Sequence, residues 1–282
     1  MPSRPKRRRS LAVAALAVAV FAGSALATES GLARQGAGPA ARTLPAITVR
    51  TAHGWHHHHH GEAELCRVIP RADPRRPLIV VLGASYTAGV GAPSPAGSWA
   101  VRLAELLRWR AVTLGVPGAG YTAPGDQDLG PLAHELRRVN VRSLRPSVVV
   151  IQAGHDDWLV PPAVEARSVT SLVRRLMSEA PHARLVFLTV FSRPGTDGSV
   201  LARERGVDAV IGSAVRKTDP RAVVIDPLRE HWRFPRFAGG LHPDAHGHLL
   251  IAEWIARALV QDRAVTGAAT RPGPASVRCT HL

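Results

Sequence analysis

Leu78-Ile79-Val80-Val81-Leu82-Gly83-Ala84-Ser85-Tyr86-Thr87-Ala88-Gly89 is an unbroken apolar run that stops at a glycine and is followed almost at once by a serine. Five apolar side chains in succession leave no polar face for water. The run therefore reads as a strand buried on both sides, as in a parallel sheet covered by helices. Open α/β sheets keep their binding crevices beyond the carboxyl ends of their strands. Ser85 stands at such an end and is the candidate nucleophile. The plainer alternative is that Gly83 and Ser85 only turn the chain and cap the next helix.

Outward from this run the chain alternates. Trp99, Leu103, Leu106 and Leu107 recur at helical spacing and predict a helix over 98–108, after a loop held by Pro93 and Pro95. Strands are expected at 111–115, 147–152, 184–190 and 222–226, with helices at 129–144, 162–179 and 198–217 between them. An amphipathic helix over 246–261 closes the pattern with Leu249, Ile251, Trp254, Ile255 and Leu259. Five strands alternating with helices imply a parallel sheet covered on both faces and joined by right-handed crossovers.

The flanks differ in kind. Arg4, Lys6, Arg7, Arg8 and Arg9 form a basic head, Leu11 to Ala22 an apolar run, and Ala25-Leu26-Ala27 a small-x-small site, the order of an export signal over 1–27. A membrane anchor is the alternative, but the apolar stretch is short for a bilayer span. Arg8-Arg9 also permits a twin-arginine reading. Residues 28–76 read as a flexible arm rich in Ala, Gly, Arg and Pro, and 263–282 as a tail. The arm carries His53 and the run His56 to His60; such a tract can capture metal ions, but without a defined second shell it makes a poor catalytic centre.

A formal charge of +15 raises the question of nucleic acid. The arginines are spread over several helices, mixed with acids and without an aromatic-interleaved patch, so no nucleic-acid partner is expected. Cys66 and Cys279 are the only cysteines and lie just outside the two ends of the regular pattern. In an exported chain the pair reads as a disulfide, with two free thiols as the alternative.

Three strand ends run into polar, glycine-containing loops, and Gly239-Gly240-Leu241-His242-Pro243-Asp244 precedes the last helix. In a doubly wound sheet these loops converge on one edge. Ser85 offers a hydroxyl and His242 an imidazole able to take its proton, the assistance a serine nucleophile requires. The backbone N–H groups of Ser85 and Gly118 are candidate donors to a developing oxyanion.

These residues resemble the SGNH or GDSL hydrolases, a superfamily of esterases and lipases, over about 77–262. The resemblance rests on Gly83-Ala84-Ser85, on Gly118 in Val116-Pro117-Gly118, on Gly154-His155-Asp156-Asp157, and on Gly239-Gly240-Leu241-His242. It implies a flavodoxin-like three-layer α/β/α sandwich with Ser85 as nucleophile, His242 as base, and Ser85, Gly118 and Asp156 at the oxyanion positions. Three departures stand out. Ala84 replaces the acid of the first block. Asp156 stands where the family has an asparagine donor, and an ionised carboxylate there would repel an oxyanion unless protonated or turned away. Gly239 stands where the family has the acid that orients histidine; its carbonyl, or Asp226 at the end of the fifth strand, is the candidate substitute, and Asp244 should start the last helix.

The resemblance, with the export signal, leads to the expectation of an exported, monomeric esterase without metal or organic cofactor, acting on a small-molecule, lipid or acylated glycan ester and holding no membrane anchor after signal cleavage. A glycan O-deacetylase or acyltransferase, and a catalytically impaired envelope-binding protein, are the other readings. His155, Tyr121 and Trp158 are expected near the pocket, and His246 and His248 on the face of the last helix.

Overall fold

The computed structural model describes residues 66–69, 75–192, 196–234, 237–238 and 242–262. The expected export signal, the histidine tract, Gly239 and Cys279 lie outside them. The apolar run forms strand β2 (Leu78–Gly83), wholly buried, after a short edge strand β1 (Cys66–Ile69). The other strands are β3 (Arg110–Gly115), β4 (Val148–Gln152), β5 (Arg184–Leu188) and β6 (Val223–Ile225).

The sheet order is β1-β3-β2-β4-β5-β6. Strands β2 to β6 run parallel, as the alternation requires, and β1 adds a sixth strand antiparallel to β3, with Cys66 opposite Leu114. This strand falls inside the stretch read as a flexible arm. With four residues and no strict alternation it carries too little pattern to stand out, and the edge of β3 supplies its hydrogen-bond partners.

Alternation along β2 divides the core. Leu78, Val80 and Leu82 pack on one side with Leu132, Leu136, Val169, Val173, Leu176 and Ile211. Ile79 and Val81 pack on the other with Trp99, Leu103, Ile251, Ile255 and Leu259. Helices α2 (Trp99–Leu107) and α7 (Ala245–Gln261) thus cover one face. Helices α3 (Leu132–Arg138), α5 (Pro162–Glu179) and α6 (Gly198–Thr218) cover the other. Each fully buried Leu or Ile contributes about 1.5–3 kcal/mol, so both layers are strongly driven.

The single helix expected over 129–144 is two. Val139 takes an extended conformation after α3, and Asn140 caps α4 (Val141–Leu144) by accepting the Ser143 N–H at 3.0 Å. The local side-chain acceptor outcompetes helix continuation.

Candidate active site

Strand β2 lies between β3 and β4, whose connections leave to opposite sides, so its carboxyl end is the topological switch point. Ser85 opens the short helix α1 (Ser85–Ala88) there. Gly83 is required for this close packing, because a Cβ would stand 2.5 Å from the Gln152 carbonyl and closer still to Thr87 Oγ1. The seat is tightened by Ala84 N–H donating to the Gln152 carbonyl at 3.1 Å and Thr87 Oγ1 donating to Gln152 Oε1 at 3.0 Å.

His242 lies on β8 (His242–Pro243), which pairs antiparallel with β7 (Phe237–Ala238). This hairpin follows β6, the far edge of the sheet, yet returns the chain to the switch point: His242 Nε2 is 2.9 Å from Ser85 Oγ. The imidazole is half-buried, and burial lowers its pKa from the ordinary histidine value. A neutral imidazole at this distance can accept the hydroxyl proton.

Gly118, with φ +73°, occupies the loop after β3. Ser85 is the first residue of its helix, so its N–H has no acceptor within that helix. Among the turn and loop hydrogen bonds of the described residues neither this N–H nor that of Gly118 is engaged. Asp156 lies in the single turn His155–Asp157 after β4. Burial of its carboxyl, then the charges of Asp157 and Asp126, push its pKa up to about 6, although the residue as a whole is exposed. It therefore changes charge near neutrality, donor-capable below and acceptor-only above.

Asp226 does not take the orienting role offered to it. Its Oδ1 accepts the Arg229 N–H at 2.9 Å, and its side chain hydrogen-bonds Asp208. The physical reason is the strand order: β6 lies three strands from β2, and only the hairpin, not the strand end, returns to Ser85. Asp244 caps α7 by accepting the Gly247 N–H. Cys66 lies on β1, and its expected partner Cys279 is outside the described residues.

Tyr121 is buried in the core beside Asp157, Glu165 and Asp208 rather than lining a pocket. Trp158 is exposed, with the Arg203 guanidinium 5.6 Å from its ring centre. His155 stacks on Tyr86 at 4.9 Å and meets the Phe191 backbone through Nε2; burial lowers its pKa to about 4.

Two residues carry roles not assigned from sequence. Asp157, fully buried, accepts from the backbone N–H groups of Tyr121, Thr122 and Ala123 and from the Thr122 hydroxyl at 2.7–3.1 Å. It ties the loop bearing Gly118 to the loop bearing Asp156. His248 is buried on the apolar face of α7, where its Nδ1 accepts the Trp99 N–H at 3.2 Å and its Nε2 donates to the Val90 carbonyl at 3.1 Å. Its spacing with Ile251, Ala252, Ile255 and Leu259, all buried, is the signal that could have found it. Asp157 left a weaker trace, an acid in the glycine-containing loop that follows an apolar strand.

Residues 81–250 match the GDSL-like lipase/acylhydrolase family. No individually curated protein matches the chain significantly. Among solved structures, a carbohydrate esterase family 2 enzyme with its carbohydrate-binding domain from Corynascus thermopiles (Myceliophthora fergusii) is similar at TM-score 0.56 and 20% identity, covering 71% of this chain and 68% of that one. A family two carbohydrate esterase from Clostridium thermocellum in complex with cellohexaose matches at TM-score 0.54 and 20% identity over 70% and 67%. One from Cellvibrio japonicus matches at TM-score 0.55 and 16% identity over 71% and 64%. At these identities the likeness establishes the three-layer fold.

Proposed function

The chain belongs to the GDSL-like lipase/acylhydrolase family, and we propose that it is an exported, monomeric serine hydrolase that cleaves carboxylic esters through an acyl-enzyme on Ser85. The observation that carries this reading is the 2.9 Å contact between Ser85 Oγ and His242 Nε2 at the switch point of the sheet. Ser85 Oγ attacks the ester carbonyl carbon while His242 Nε2 takes the hydroxyl proton. The oxyanion receives hydrogen bonds from the Ser85 and Gly118 N–H groups. Collapse expels the alcohol, protonated by His242. Water, deprotonated by the same imidazole, then adds to the acyl carbon and releases the acid.

Export is supported by the ordered basic, apolar and small-residue segments of the first 27 residues. No helix among the described residues is long and apolar enough to cross a membrane.

A glycan O-deacetylase is the second reading, favoured by the exposed segment that follows Asp156. Trp158 and Leu159, 42% and 74% exposed, follow the turn that carries Asp156. A half-exposed indole with a guanidinium over its ring suits the C–H face and hydroxyls of a sugar ring. A fluorophosphonate probe followed by peptide mapping tests the enzyme: Ser85 labels in the wild type and labelling vanishes in Ser85→Ala. No labelling, with no turnover of p-nitrophenyl acetate from mildly acidic to mildly basic pH, favours an envelope-binding protein on the same fold.

A further inference from the structure

We infer that Tyr86 is a positioning residue for His242, its buried ring doing by packing what a carboxylate partner would do by hydrogen bonding. The inference rests on the Ser85–His242 reading above. Tyr86 follows the nucleophile in α1 and is 2% exposed. Its ring centre lies 5.2 Å from that of His242, at an interplanar angle of 53°. Tyr86 is itself held in place: His155 stacks on it at 4.9 Å and 27°, and Phe191 meets it edge-on at 4.4 Å and 88°. His155 and Phe191 also touch each other, at 5.0 Å. A ring locked by two others is a rigid wall, and a wall limits the rotamers of the imidazole against it.

The backbone of His242 is fixed from another side. Gly91 packs so closely that a Cβ there would stand 3.0 Å from His242 Cβ and closer to the Pro243 carbonyl oxygen. Main chain and ring are thus held by two positions that follow the nucleophile, Tyr86 in α1 and Gly91 shortly after that helix.

Electrostatics supply no competing holder among the described residues. Asp226 is engaged by Arg229 and Asp208, and Asp244 by Gly247. The other titratable groups that sense His242 are His155 and His248, and burial keeps both neutral down to about pH 4. Burial alone lowers the pKa of His242. An imidazole oriented by packing stays a neutral base to lower pH than one paired with a carboxylate, which favours the charged form.

The test compares Tyr86→Phe, Tyr86→Leu and Phe191→Leu in the full chain, with p-nitrophenyl acetate kinetics across pH, fluorophosphonate labelling rates and thermal melts. Tyr86→Phe keeps the ring and should hold kcat within about threefold. Tyr86→Leu should lower kcat roughly 10- to 100-fold with little change in KM, and should move the acidic limb of kcat/KM upward as the imidazole gains solvent. Phe191→Leu, which loosens Tyr86 without touching Ser85, should shift both in the same direction by less. A Tyr86→Leu protein that melts lower yet keeps kcat and the acidic limb, or a Phe191→Leu protein with both unmoved where Tyr86→Leu does not fold, overturns the inference. Failure of the parent reading looks different: the wild type would not label, and Ser85→Ala would change nothing.

Discussion

Ser85 Oγ and His242 Nε2 stand 2.9 Å apart across 157 residues of chain. Groups that act as one unit lose activity together rather than in sequence. Ser85→Ala and His242→Ala should each lower ester turnover by roughly 10⁴-fold or more, and the double variant should fall little further. Kinetics on p-nitrophenyl acetate check this; multiplicative losses would mean the two side chains serve separate purposes.

Asp157 gathers four donors from the loop that carries Gly118. Asp157→Ala strands three buried or half-buried N–H groups and a hydroxyl, and should cost about 3 kcal/mol or more in urea unfolding. Turnover should drop as well, because the Gly118 donor sits on the released loop. Asp157→Asn keeps an acceptor and should lie between the two. A variant that loses stability but keeps full turnover would separate the loop from the oxyanion position.

Asp156 titrates near pH 6 because burial and two neighbouring acids oppose its charge. Below that value its carboxyl can donate a hydrogen bond, and above it the carboxylate repels an oxyanion. Asp156→Asn should therefore raise turnover at neutral pH, by up to roughly 100-fold if the amide donates fully. The ratio of variant to wild type should grow as pH rises through about 6. A fall in turnover at all pH values would show the carboxylate to be useful in itself.

Stability should depend on pH through buried acids, among them Glu165, Asp208 and the fully buried Glu135, each of which burial raises. Burial raises Glu165 and Asp208 to about 8, above their values in the unfolded chain, so their contribution is complete below about pH 4 and is lost as pH rises through 8. Buried His155 and His248, lowered to about 4, act in the opposite sense: their contribution is complete above about pH 6.5 and is lost as pH falls toward 4. The two pairs offset each other between about 4.5 and 6.5, and above 6.5 the acids act alone. The unfolding free energy, and the melting temperature with it, should fall from pH 6.5 to about 8, the former by roughly 1.4 kcal/mol per pH unit for each acid at most. Asp208→Asn, which still accepts the Val190 N–H seen at 2.9 Å, should flatten that slope. An equally steep slope in the variant would remove Asp208 from the account.

Trp158 offers a test of substrate class. Trp158→Ala should leave kcat/KM for p-nitrophenyl acetate within about twofold and lower it about tenfold for an acetylated oligosaccharide, the worth of one stacking contact. Equal effects on both substrates would count against a sugar platform.

The layered architecture was written in short-range pattern. Five apolar runs alternating with amphipathic helices dictate a covered parallel sheet, because burial at periods of two and 3.6 residues depends only on nearby side chains. The same pattern put Ser85 at a strand end, whereas the burial of His248 emerged only with the packed helix. Partnership between acids and loops is another matter. Asp157 meets Tyr121 across 36 residues, His248 meets Val90 across 158, and Asp226 turns to Asp208 rather than to His242. Such pairings depend on strand order and on where a hairpin returns the chain. No local period encodes them, and only the assembled sheet, with its crossovers in place, decided which side chains came within hydrogen-bond reach.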